Sequence, residues 1–160
     1  MTKGDIYTLA GDGHPGFAGD GGPAASAQLD DPNGVALDSA GNMVVADAAN
    51  NRVRVVAATS GTFYGVPMTA GDIYTVAGTG AAGLSGDGGP GTSAELSWPS
   101  SVASDGGNLV IADSLNERIR LLSGSGLDST STMAAATTWT VSPGGRSATT
   151  AIGHLAAHGT

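Results

Sequence analysis

The 160-residue sequence predicts an all-β chain made of about two four-stranded antiparallel units in series. Three observations carry that reading: an internal repeat, a two-residue hydrophobic period within each copy, and turn residues between the periodic runs. The repeat comes first because it changes every later inference. Gly4-Asp5-Ile6-Tyr7-Thr8 recurs as Gly71-Asp72-Ile73-Tyr74-Thr75, and Gly19-Asp20-Gly21-Gly22-Pro23 as Gly86-Asp87-Gly88-Gly89-Pro90, both at an offset of 67. Leu29 and Leu96, Pro32 and Pro99, and Asp38 and Asp105 keep that offset. One residue is then lost. Asn42-Met43-Val44-Val45-Ala46-Asp47 answers to Asn108-Leu109-Val110-Ile111-Ala112-Asp113, and Asn51-Arg52-Val53-Arg54 to Glu117-Arg118-Ile119-Arg120, at an offset of 66.

The elements follow in chain order. An outer strand is expected over about 4–10, three strands over about 33–57, a further outer strand over about 71–77 and three more over about 101–122. Val35 and Leu37 alternate with Ala36 and Asp38. Met43 to Ala46 is continuously apolar, as a strand buried on both faces would be. Arg52-Val53-Arg54-Val55 alternates charged with β-branched residues, which predicts one wet face and one buried face. Residues 38–42 and 47–51 are rich in Asp, Asn and Gly and read as tight turns. Residues 57–70, with Phe63, Tyr64 and Pro67, read as a hairpin insertion. The division expected is 1–70 for the first unit, with its N-terminal outer strand and insertion, and 71–122 for the second. A Ser/Thr/Ala/Gly-rich, mostly irregular tail over 123–160 follows. Four-stranded antiparallel meanders linked by Gly-Asp-Gly-Gly-Pro loops are the blades of a β-propeller.

The pattern Leu-x-x-Pro-x-Gly-Val-Ala-x-Asp-x-x-Gly-Asn-x-x-x-Ala-Asp-x-x-Asn-x-Arg-Val-Arg, from Leu29 to Arg54, resembles an NHL repeat. The preceding Phe17–Ala24 stretch is similar to the inter-blade loop of bacterial and teneurin-type NHL propellers, and the resemblance covers about residues 4–122. The second copy departs at Ser100-Ser101, which replaces Asn33-Gly34, at a shortened turn over 105–107, and at Glu117, which replaces Asn51. The resemblance implies a propeller, commonly six-bladed in this family, that serves as an interaction platform. A minority of relatives, lactonase-like and amidating-lyase-like, are metal-dependent enzymes. About two blades leave two open sheet faces, and a repeat array normally needs about three units for stability. The chain therefore reads either as a segment of a longer propeller or as one of several copies closing a ring, three of which would make six blades. The first reading is favoured, because Met1 falls at a repeat boundary and the repeat decays after residue 122.

Composition bounds the function. The absence of cysteine excludes a disulfide scaffold, a cysteine-based zinc site and a thiol nucleophile. Six Lys and Arg against fourteen Asp and Glu give a net charge of -8, which disfavours phosphate backbones and hence nucleic acid. No apolar run approaches the ~20 residues of a spanning helix. The lack of cysteine, low lysine content and Ser/Thr/Gly-rich surface suit a secreted or cell-surface bacterial protein, although no signal segment follows Met1.

The candidate site residues fall into a few groups. Asp47, Asn50 and Arg52, with their counterparts Asp113, Asn116 and Arg118, recur in each copy. Such sets build blades, the Asp and Asn satisfying turn amides and the Arg pairing with the Asp. A ligand-contacting ring is the second reading. Asp20 and Asp87 sit in glycine-rich loops that lack the Lys-Ser/Thr of a phosphate cradle. Asp12 and Asp20 would supply two calcium ligands, but the Asp-x-Asp-x-Asp-Gly spacing is absent, so no cofactor is expected. Arg52, Arg54, Arg118 and Arg120 form a small basic stripe. Trp98, before Pro99, reads either as a binding anchor or as packing against the next blade. His154 and His158 have the spacing of a helical zinc pair but lack the general-base Glu. His14 is not repeated. No nucleophile, base and acid set assembles, so no catalytic residue is assigned. The expected function is a non-catalytic scaffold for protein or glycan contact and for neighbouring blades. A metal-dependent enzyme fragment and a self-assembling repeat unit are the alternatives.

Overall fold

The computed structural model describes residues 2–105 and 107–124. The tail from 125 on, including His154 and His158, lies outside the described residues. The described residues form ten strands: β1 (Gly22–Pro23), β2 (Pro32–Leu37), β3 (Met43–Asp47), β4 (Arg52–Val56), β5 (Gly61–Phe63), β6 (Val66–Met68), β7 (Asp72–Ala77), β8 (Pro99–Asp105), β9 (Asn108–Asp113) and β10 (Arg118–Leu122). The first sheet has the order β1-β7-β4-β3-β2, the second β10-β9-β8, and β5 and β6 make a separate hairpin. All these pairings are antiparallel. The all-β expectation holds; the second sheet is a meander of consecutive strands, and the first continues the β2-β3-β4 meander with β7 and then β1 at its far edge.

Local chemistry explains the strand ends. The β3–β4 turn closes with Asn51 in the left-handed region, φ 51°, and the β9–β10 turn with Glu117 at φ 54°. Asn tolerates that conformation better than most residues. At the opposite end, Asp38 Oδ1 accepts the N–H groups of Ala40 and Asn42, both at 2.9 Å, an Asx arrangement that reverses the chain between β2 and β3. Asn42 Oδ1 then accepts the N–H of Ala58 at 2.8 Å, and the Tyr64 hydroxyl donates to Asp38 Oδ2 at 2.8 Å. The β5–β6 insertion is thereby fastened to the sheet it interrupts. Burial and the Asp38 carboxylate both push the Tyr64 pKa upward.

The two sheets pack face to face. Val44, Ala46, Val53 and Val55 of the first sheet meet Val102, Leu109 and Ile111 of the second, with Val76 and Leu96 completing one core. A smaller cluster on the other face of the first sheet joins Ala24, Ala27 and Ile73, with Ala10, Leu29 and Val56 against it. The continuously apolar run of β3 is buried on both faces, as its composition implied. Gly34 marks the closest approach, since a Cβ there would lie 2.7 Å from the Ser101 Cα.

Three expectations need correction. Residues 4–10 do not form a strand, because no strand among the described residues lies alongside to pair with them, and Ile6 is 98% exposed. The strand at 72–77, read as the opening of the second unit, lies in the first sheet. After the β5–β6 excursion the chain returns antiparallel to β4, so β7 completes the first sheet. The charged face of β4 is not wet: Arg54 is wholly buried, because the loop 18–28 folds over it.

Candidate functional site

The recurrent polar residues converge at one end of each sheet and do the same work twice. Asp47 Oδ1 accepts the Asp30 N–H at 2.8 Å, and Asp113 Oδ1 accepts the Ser97 N–H at 2.7 Å. Asn50 Nδ2 donates to Gly16 O at 2.8 Å and Asn116 Nδ2 to Gly83 O at 2.7 Å, while each also donates to the carboxylate of its own turn. Arg54 Nη2 pairs with Asp20 at 2.7 Å and Nη1 with Asp47 at 3.4 Å. Arg120 repeats this with Asp87 and Asp113 at the same distances. Each guanidinium also donates to two loop carbonyls, Gln28 and Ala18 for Arg54, Glu95 and Ser85 for Arg120. The preceding glycine-rich loop is thus pinned across its sheet by one arginine between two aspartates.

This geometry changes two sequence-based assignments. The arginine that pairs with Asp47 is Arg54 rather than Arg52, and with Asp113 it is Arg120 rather than Arg118. The expected basic stripe therefore does not exist as a surface, since Arg54 and Arg120 are consumed inside the node. Alternation along β4 and β10 could not reveal this, because the loop that covers them lies far away in sequence. Burial raises the Asp47 pKa above its ordinary value. The Asp30 N–H, the Asn50 amide and the Arg54 charge oppose that rise.

A second group at the same end is presented outward. Trp98 adopts φ 53°, a left-handed conformation that a bulky residue rarely takes. Its backbone N–H donates to Asn51 Oδ1 at 2.9 Å, and Asn51 Nδ2 donates to Gly80 O at 3.2 Å. The indole is partly exposed. Next to Asn51, the Arg52 guanidinium lies 3.9 Å from the centroid of the Phe17 ring, a cation–π contact, and donates to the carbonyls of Gly78 and Thr79. Burial lowers the Arg52 pKa, with the nearby Asp20 and Asp47 carboxylates opposing the shift. Arg118 makes no ion pair among the described residues. Phe17 and Asn51 escaped the sequence reading, since neither is repeated, although the Asn51-to-Glu117 difference was visible. His14 is exposed beside Asp12. Among the described residues no group of three or more His, Cys, Asp or Glu is placed to hold a metal, and no helix is long and apolar enough to cross a membrane.

Two antiparallel meanders packed face to face, each pinned by its own glycine-rich loop, define a propeller-type repeat protein. Residues 29–56 match the family model of the NHL repeat. That segment spans β2, β3 and β4, with the loop residues that enter β2. No curated protein matches the chain. Among solved structures it is similar to an auxiliary nutrient binding protein from Bacteroides ovatus, at 20% identity and a TM-score of 0.49. The likeness covers 70% of this chain but only 26% of that one.

Proposed function

We propose that the chain is a non-catalytic scaffold whose loop end contacts a protein or glycan ligand through Trp98, Asn51, Arg52 and Phe17. The observation that carries this reading is Trp98: a large, partly exposed indole at a left-handed turn position where the first copy has the short side chain of Asp31. An exposed aromatic side chain on a rigid turn is the kind of residue that anchors recognition. The repeated carboxylates favour a scaffold over an enzyme, since Asp47, Asp113 and Asp20 are spent holding backbone amides and guanidinium groups. The fold supplies rigidity, and the loops supply the chemistry of contact.

The test is parallel screening of the full chain on glycan and peptide arrays, beside its Trp98→Ala and Arg52→Ala variants. A ligand on either array that the Trp98→Ala variant binds at least about tenfold more weakly supports the site, as expected for a truncated aromatic anchor. Equal binding by both variants places recognition elsewhere. Turnover of a lactone that depends on added divalent metal would favour the enzyme reading instead.

A further inference from the structure

Granted Trp98 as the contact residue, we propose that its partner is a basic peptide segment. A lysine or arginine side chain of that segment seats on the indole, beside Asp31 and Glu117, and an aliphatic neighbour meets Leu115.

The difference between the two copies points to a contact surface. Their loop ends share one backbone: Ala48 and Ala49 donate to the carbonyls of Asp31 and Asp30, and Ser114 and Leu115 to those of Trp98 and Ser97. The side chains differ. Trp98 stands where the first copy has Asp31, and Leu115 where it has Ala49. The residues that build the turn recur, as Asp47 and Asn50 do in Asp113 and Asn116. Trp98 and Leu115 do not recur, and they are 37% and 69% exposed. The turn forms without them in the first copy, so two large apolar side chains are free to meet a partner.

The protein itself shows what an exposed ring at this end attracts. The Arg52 guanidinium lies 3.9 Å from the centroid of the Phe17 ring and that of Arg54 lies 5.0 Å from it. Indole attracts a cation more strongly than a phenyl ring does. Yet among the described residues no guanidinium or ammonium group lies over Trp98. Arg52 is spent on the Phe17 ring and on the carbonyls of Gly78 and Thr79. Arg118 is exposed at the same turn and does not cover the indole.

Two carboxylates supply the matching charge. A run of hydrogen bonds ties them to Trp98. Asp31 O accepts the Ala48 N–H, Ala48 O the Asn51 N–H, and Asn51 Oδ1 the Trp98 N–H. Trp98 O then accepts the Ser114 N–H, and Ser114 O the Glu117 N–H. Asp31 and Glu117 are exposed, and neither enters an ion pair among the described residues. Asp20, Asp47, Asp87 and Asp113, by contrast, are paired with Arg54 and Arg120. On a chain of net charge -8, the two free carboxylates draw in a cationic partner and turn away an acidic one. A neutral glycan would leave this charge uncompensated.

Surface plasmon resonance of the full chain tests this over immobilised Gly-Leu-Lys-Leu-Lys-Gly, its lysine-acetylated form and its Leu-Glu counterpart, with a glycan array in parallel. The variants are Trp98→Ala and the double variant Asp31→Asn/Glu117→Gln. Both carboxylates are exposed, so the double variant keeps the fold, which circular dichroism verifies. Wild type is expected to bind the basic peptide, and lysine acetylation and Trp98→Ala should each weaken binding at least about tenfold. The double variant should weaken it at least about threefold, and added salt should weaken it further. Trp98-dependent binding of a glycan, or of the acetylated or acidic peptide, at the strength of the basic one overturns the proposal and leaves Trp98 standing as a contact residue. Binding of the basic peptide that Trp98→Ala leaves unchanged overturns both. No binding of the basic peptide overturns the proposal.

Discussion

Arg54 shows how one side chain determines whether a loop belongs to a blade. It is wholly buried, contacts two aspartates and receives no help from solvent. Removing one partner of a buried ion pair leaves the other charge uncompensated, a change that costs about 3–5 kcal/mol. Arg54→Ala should therefore lower the stability measured by urea denaturation by about that amount. Arg120→Ala should cost distinctly less, because Asp87 remains hydrated when its partner is lost. Equal losses would mean that the two nodes are not held by burial. The recurrence of Asp, Asn and Arg was legible in the sequence. Which arginine of each pair turns inward was not, since Arg52 and Arg54 sit on the same strand at alternate positions with identical chemistry. The choice belongs to the loop 18–28, which supplies the Ala18 and Gln28 carbonyls and Asp20.

At the scale of elements, the sheet-to-sheet contact depends on a small residue in the inner strand. An added Cβ at Gly34 meets backbone atoms, the Ser101 Cα at 2.7 Å and the Ser100 carbonyl oxygen at 2.9 Å, and backbone cannot rotate away. Gly34→Ala should force the sheets apart and cost about 1–3 kcal/mol, as overpacking does. Thermal unfolding followed by circular dichroism measures this, and an unshifted midpoint would show the inner strands free to slide. The second copy carries Ser101 at the equivalent position. The hairpin of β5 and β6 was readable from Phe63, Tyr64 and Pro67. Its attachment through Tyr64 and Asp38 was not, because 26 residues separate the partners.

Among the described residues the larger core is shared between the two sheets. Leu109 and Ile111 of the second sheet are buried against Val44, Val53 and Val55 of the first. Neither sheet has a sealed interior without the other. Leu109→Ala should cost about 2–5 kcal/mol and lower the unfolding midpoint of both sheets together. Native-state hydrogen exchange would then show amides of β3 and β9 losing protection in parallel. Independent loss would mean that the sheets fold as separate units.

The sequence by itself determined the repeat, the strands inside it, the turn chemistry and the resemblance to NHL repeats. These are local properties, set by period-two alternation and by Asp, Asn and Gly at fixed offsets. Tertiary structure alone decided the rest. Residues 4–10 and 71–77 are nearly identical, yet only the second is a strand, because β4 lies beside it and nothing described lies beside the first. A strand's identity depends on its neighbour's backbone, and no single segment contains that information. The same holds for Trp98, whose backbone N–H is met by the Asn51 side chain from the adjoining sheet.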